Sequence, residues 1–195
     1  MITTEQIKDL RDRTGVSVIQ CKKALEEAGG DIEKALVILR KKSGEISAKK
    51  GDRTFSAGTV QAYIHANGAV GSLVELVSET DFVSGNDEFK ALARDIAMHV
   101  AASNPTFITK EEIDEKTRAT ATEVFAAEVK DKPKEMQEKI LAGKLDTYFS
   151  EQVLMNQAFI KNPDVTIAAL IDAAVQKFGE KIAVARMSRF KVLEK

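Results

Sequence analysis

Residues 69–83 read AVGSLVELVSETDFV. The mostly apolar run from Ala69 to Val77 predicts a strand. Ser78-Glu79-Thr80-Asp81-Phe82-Val83 follows it directly. A helix signal begins just beyond, with Asn86 as cap and Asp87 and Glu88 in the first turn, where acids suit the positive end of the helix dipole. Gly85 loosens the joint. An acid and a bulky aromatic therefore stand side by side at a strand-to-helix turn, where binding residues tend to be placed. Asp81 suits the disturbance of a metal or phosphate environment, and Phe82 the filling of a pocket on a partner. Aromatics more often pack inside, so the pattern alone favours Phe82 as a core residue and Asp81 as a turn residue.

On the amino-terminal side, Thr59 to Val77 reads as a hairpin around Asn67-Gly68, the strongest two-residue turn signal, since both turn positions need positive φ. That register sets Ala66 opposite Ala69, Ile64 opposite Gly71 and Ala62 opposite Leu73, a small apolar face on which something should pack. Gln61, Tyr63, His65 and Val74 make the mixed opposite face. Near the carboxy terminus Ile182 to Val192 alternates, with Ile182, Val184, Phe190 and Val192 on one face, and would complete a three-stranded antiparallel sheet. Helical stripes fill the interval. Phe89, Leu92, Ala93, Ile96 and Val100 lie on one side of a helix that Asn104-Pro105 ends. Thr109 and Glu112 open a second helix, and Pro133 a third that Gly143 ends. Leu145 to Phe159 is read as helical and then looped, and Pro163 starts a helix that Gly179 closes. The fold class is α+β, with helices packed on one side of a small sheet.

Residues 3 to 40 predict three short helices with their own core. Thr3 and Gln6, then Ser17 and Gln20, make capping pairs, and Asp31 caps the third helix. Val18, Cys21, Leu25 and Ala28 fall at helical spacing, as do Ile32, Ala35, Leu36 and Leu39. The polar, basic, Gly-punctuated stretch Lys41 to Arg53 reads as a solvated tether rather than a phosphate contact. The expected division is a bundle at 1–42, a basic linker at 43–57 and an α+β core at 58–195.

The chemistry that is missing narrows the function. With 195 residues, 44% hydrophobic, and a net charge of -1, the chain as a whole is not built for nucleic acid. No apolar run approaches a membrane span and Met1-Ile2-Thr3-Thr4 does not begin a signal peptide, so a cytoplasmic protein is expected. There is no phosphate loop and no metal-spaced Cys/His cluster, and no cofactor is expected. Cys21 reads as a packed thiol, and His65 and His99 each as a surface or satisfied core histidine rather than a ligand. Nothing marks a general acid–base pair or an activated nucleophile. A binding or regulatory protein is favoured over an enzyme.

At this point several blocks fall into register. Leu10-Arg11-Asp12-Arg13-Thr14-Gly15, Cys21-Lys22-Lys23-Ala24-Leu25 and Gly30-Asp31-Ile32-Glu33-Lys34-Ala35 resemble the amino-terminal domain of bacterial elongation factor Ts, a three-helix bundle similar to ubiquitin-associated domains. Glu79-Thr80-Asp81-Phe82-Val83 is similar to that family's central motif, and Asp95-Ile96-Ala97-Met98-His99 to the helix after it. Lys132-Pro133, Lys139-Ile140, Leu154-Met155-Asn156-Gln157-Ala158-Phe159 and Arg189-Phe190 match later blocks. The resemblance implies a guanine-nucleotide exchange factor for elongation factor Tu that does no covalent chemistry. Thr80, Asp81, Phe82 and Val83 would meet the partner's G domain, with Phe82 as a wedge and Asp81 upsetting the Mg²⁺ surroundings. Arg11, Val18 and Ile19 would add a contact from the first domain, and Ile160 and Lys161 a weaker one from a core loop. The chain resembles the short members of the family, which implies a homodimer through the sheet face. Ser78 stands where the family often has cysteine, a neutral change. The rival reading is an adaptor of the ubiquitin-associated type that binds a peptide or helix with residues 1–42 and has no exchange activity.

Overall fold

The computed structural model describes residues 2–131 and 133–194. Its amino-terminal part holds α1 (Thr4–Thr14), α2 (Val18–Glu27) and α3 (Ile32–Lys49). The expected caps form. Thr3 and Gln6 close a reciprocal capping box, Ser17 accepts from the Gln20 N–H, and Asp31 accepts from the Lys34 N–H. Leu10, Val16, Cys21, Leu25, Ala35 and Leu39 are buried together between the three helices.

The segment expected to be a linker is helical up to Lys49, so α3 crosses the expected boundary without a break. Its second half has its own reason to fold. Leu39, Ser43 and Ile46 share a face, the buried Ser43 hydroxyl lies within hydrogen-bond reach of Leu39 O (3.0 Å) and of the Gln176 side chain, and Ile46 packs against the main core. Ser43-Gly44 reads as a break in one dimension, and tertiary contact overrides it.

The main sheet runs in the order β1 (Ala57–Ile64), β2 (Val70–Ser78), β5 (Ile182–Lys191), all antiparallel. The hairpin register is the expected one, with Ile64 opposite Gly71 and Ala62 opposite Leu73. The packed face is the other one. Ser72, Val74, Leu76 and Ser78 point into the core, whereas Val60, Ile64 and Leu73 are exposed. Two inward serines disguised the pattern. Ser72 is satisfied there because its hydroxyl donates to Ala97 O at 2.6 Å.

The last strand departs from simple alternation for a different reason. The register shifts between Glu75 and Leu76, which face Arg186 and Val184 and leave Ala185 as the extra residue. Such a bulge reverses the parity of every side chain beyond it. Ile182 and Val184 are buried, while Phe190 and Val192 lie on the opposite, exposed side. The four do not share a face.

On the covered side lies α5 (Asp87–Ser103), whose Phe89, Ala93, Ile96, Ala97 and Val100 are buried. Beside it is α8 (Ile167–Phe178), capped by Thr166 and closed by Gly179 at φ 74°. Helices on one side of a three-stranded antiparallel sheet make this an α+β fold, as expected. Between α5 and α8, α6 (Glu115–Glu128) and α7 (Lys134–Gln152) form a helical pair with a small core of Ile113, Ala121, Phe149 and Val153. Here several boundaries differ from expectation. Thr109 precedes only a short 3-10 turn, and Asp114 caps α6 instead. Gly143 does not end α7, which absorbs it at a cost of about 1 kcal/mol because Leu145 and Phe149 beyond it pack into the small core. Residues 153–159 leave the helix for a 3-10 turn and β3 (Ala158–Phe159). Pro163 lies in β4 (Asn162–Thr166), a two-stranded edge where proline's missing N–H is tolerated. Of the Lys132-Pro133 block, Lys132 lies outside the described residues.

Candidate functional site

Ser78 ends β2 fully buried, and its hydroxyl donates to Thr80 O at 3.0 Å, which turns the chain back over the strand end. Glu79 faces the α8–β5 turn. Its carboxylate accepts the Lys181 N–H at 2.5 Å and Arg53 Nη1 at 3.1 Å. The Lys181 N–H and then the Arg53 guanidinium hold this carboxyl below its ordinary pKa, against the opposing effect of burial. Next in line, the Thr80 N–H and hydroxyl both donate to the Glu180 carboxylate, at 3.0 and 2.6 Å.

One helical turn, α4 (Asp81–Ser84), follows. Val83 and Ser84 are its buried side, and Val83 joins the main core with Phe89. A four-residue turn buried through its third and fourth positions must show its first and second to solvent. Phe82 is accordingly 85% exposed and Asp81 is exposed beside it. The expectation that Phe82 is a core residue is corrected here: Val83, not Phe82, is the residue that fastens the turn. Gly85 closes it by donating to Asp81 O at 2.8 Å. A Cβ at this position would come within 3.0 Å of that same oxygen. Asn86 then caps α5 by accepting the Glu88 N–H at 2.8 Å.

Chemically, the arrangement is an aromatic ring and a carboxylate displayed on a fixed base. Among the described residues no three His, Cys, Asp or Glu side chains group as metal ligands. The Cys21 thiol is buried, and that burial pushes its pKa up, away from the reactive thiolate. Nor is any helix among the described residues long and apolar enough to cross a membrane.

The other sequence-predicted residues are all exposed. Ile19 is 69% exposed and Val18 47%, so Val18 belongs to the surface rather than to the bundle core. Arg11 lines an open crevice with Thr14, Gly15, Glu88 and Lys177, which sets the end of α1 across that crevice from the first turn of α5. Ile160 and Lys161 form the tip between β3 and β4. Lys161 pairs with Asp95 at 2.6 Å, about 12 Å along α5 from its start at 1.5 Å per residue.

That tip rests on a buried histidine. The Ile160 N–H donates to His99 Nδ1 at 3.3 Å, so Nε2 carries the proton and meets Gln157 Oε1 at 2.8 Å. Burial pushes the imidazole's pKa below its ordinary 6.5, against the raising effect of Gln157. The unfolded chain therefore takes up a proton that the folded one refuses. The stability His99 supports is complete above pH 6.5 and is lost as the pH falls below it. Thermal unfolding between about pH 7.5 and 5.5 should show a fall in midpoint that His99→Asn makes shallower.

Sequence reasoning missed Glu180 and Arg53, which hold the motif from beneath. Nothing in one dimension pairs residue 180 with residue 80. The exposed sheet face was visible as an apolar face but not as an uncovered one. Val60, Ile64, Leu73 and Phe190 lie on it around the ion pair of Glu75 and Arg186, whose atoms are 2.5 Å apart.

A family model described as elongation factor TS matches residues 4–194. An elongation factor Ts of Carboxydothermus hydrogenoformans is 44% identical over 196 aligned residues, covering 100% of this chain and 90% of the relative. One of Thermodesulfovibrio yellowstonii is 45% identical, covering 98% and 96%. One of Thermotoga petrophila is 43% identical, covering 99% and 97%. With matches of this extent on a motif displayed in this way, the chain belongs to the elongation factor Ts family of translation elongation factors.

Proposed function

We propose that this chain is a guanine-nucleotide exchange factor for elongation factor Tu. The observation that carries the reading is the 85% exposure of Phe82 on a turn whose neighbours on both sides are tied down. A large apolar ring held in water is costly unless a partner covers it. In this reading Phe82 enters a pocket on the GDP-bound partner and Asp81 approaches the Mg²⁺ and phosphate region, with Thr80 and Val83 shaping the turn. Mg²⁺ demands near-ideal octahedral geometry, so a small displacement of its ligands loses much of its affinity. A wedge that binds the nucleotide-free shape more tightly must weaken GDP by the same factor, because coupling between two ligands is reciprocal. GTP, rebinding, expels the wedge. The chain itself breaks no bond and needs no cofactor, and it works in the cytoplasm without direct contact to nucleic acid. Residues 1–42 act as a partner-binding bundle of the ubiquitin-associated type through Arg11, Val18 and Ile19. Residues 58–195 act as the exchange core, to which Ile160 and Lys161 add a lesser contact, and residues 43–57 join the two.

The test is release of a fluorescent GDP analogue from elongation factor Tu. Acceleration by catalytic amounts of the chain, opposed by excess Mg²⁺, is the expected result. Binding without acceleration would replace this reading by the adaptor one.

The uncovered sheet face belongs to the same proposal. Val60, Ile64, Leu73 and Phe190 suit burial against a second copy, and Glu75 and Arg186 on one face can pair across a two-fold axis. Sedimentation at micromolar concentration should give a dimer, and Leu73→Arg a folded monomer. A monomeric parent removes the homodimer.

A further inference from the structure

We propose that Glu180 is a positioning residue for Asp81 and Phe82: its carboxylate grips Thr80 at two points and thereby aims the turn. This rests on the exchange reading above.

Thr80 sits at the start of α4 with extended backbone, φ -130° and ψ 160°. A threonine there ordinarily accepts a hydrogen bond from an amide of the helix it begins. Here the side chain makes no such cap. The hydroxyl donates instead to Glu180 Oε1 at 2.6 Å, and the Thr80 N–H donates to Glu180 Oε2 at 3.0 Å. A single four-residue turn has almost no helical stability of its own. Its direction is set by what holds its ends: Val83 in the core at one end and Glu180 at the other.

Glu180 is in turn well placed to hold. It follows Gly179, which closes α8 in the left-handed region at φ 74°. Lys50 Nζ donates to Gly179 O at 2.6 Å, and Lys181 Nζ donates to Gly51 O and Arg53 O at 2.5 and 2.9 Å. The end of α3, the end of α8 and the root of the motif therefore meet at residues 179–181. Bonds to an ionised carboxylate are the strong kind, and two on one residue fix direction as well as distance. A shift of the ring by a fraction of its width would cost exchange without costing the fold.

The experiment is stopped-flow release of fluorescent GDP from elongation factor Tu, with the full chain varied in concentration. Glu180→Ala should lower the maximal release rate about tenfold, as expected of a misplaced working group. The half-saturating concentration should stay near the parent's, because the bundle contacts remain. Glu180→Gln, whose amide oxygen can still accept the Thr80 N–H while its NH2 donates to the Thr80 hydroxyl oxygen, should recover most of the rate. In a Phe82→Ala background Glu180→Ala should cost much less than it does in the parent, since it acts through the turn that carries Asp81 and the ring. Amide exchange of residues 81–85 should quicken in Glu180→Ala while the rest of the core keeps its protection. An undiminished rate in Glu180→Ala, or an equal further loss in the Phe82→Ala background, overturns the positioning role while the exchange reading stands. Failure of the parent chain itself to accelerate release overturns both.

Discussion

Phe82→Ala is expected to abolish nearly all exchange activity and leave the protein standing. The ring is 85% exposed and lies outside the buried clusters, so truncation removes contacts with solvent and opens no cavity. Exposed truncations of this sort change stability by no more than about 0.5 kcal/mol. The same ring at the centre of an interface would be its main anchor. Losing such an anchor costs about 2 kcal/mol or more, so stimulated GDP release should fall by about thirtyfold or more. The measurement is paired: release rate and thermal midpoint on one preparation. A full rate in the variant would mean that the turn does not meet the partner. A collapsed midpoint would mean that the ring packs in solution against something within the chain or its dimer.

Seven positions on, the same substitution should do the reverse. Phe89 is fully buried on the first turn of α5, edge-on to Phe178 with ring centroids 6.1 Å apart and planes at 77°. Phe89→Ala leaves a hole where α5 and α8 meet, and a phenylalanine removed from a core costs about 3–5 kcal/mol. For a chain of this length the midpoint should drop by on the order of 10 °C. Below the new midpoint the folded fraction still displays Asp81 and Phe82, so its activity per folded molecule should remain close to the parent's. Scanning calorimetry together with release assays at low temperature separates the two effects. The contrast between Phe82 and Phe89 isolates what the site does from what the fold needs.

Much of this was legible in the chain. The caps at Thr3, Ser17, Asp31 and Asn86 are local hydrogen bonds, and local bonds can be read from neighbours. The hairpin register matched the one read from Asn67-Gly68, although the turn that forms spans His65 to Gly68, with Gly68 but not Asn67 at positive φ. Which side of the hairpin is covered was not legible, since it depends on α5 and on serines that find acceptors inside. The bulge at Ala185 was equally hidden: an alternating string does not announce where it skips. Phe82 shows the limit most clearly. Its residue type points inward, and only the burial of Val83 and Ser84 together with the clamp on Thr80 turns it outward. The motif could be found in the sequence, but its outward direction came only from the family resemblance, not from the residue pattern.

The continuity of α3 bears on binding energetics. Two recognition patches on a floppy tether behave as two ligands at a local concentration set by the tether's length. An 18-residue helix is a strut about 27 Å long at 1.5 Å per residue. In the proposed reading, once the partner engages one patch the other arrives already at its station, and little orientational entropy is left to lose. The cost is tolerance. A strut cannot stretch to fit a partner whose docking points have drifted apart, so the protein behaves as a gauge as well as a grip.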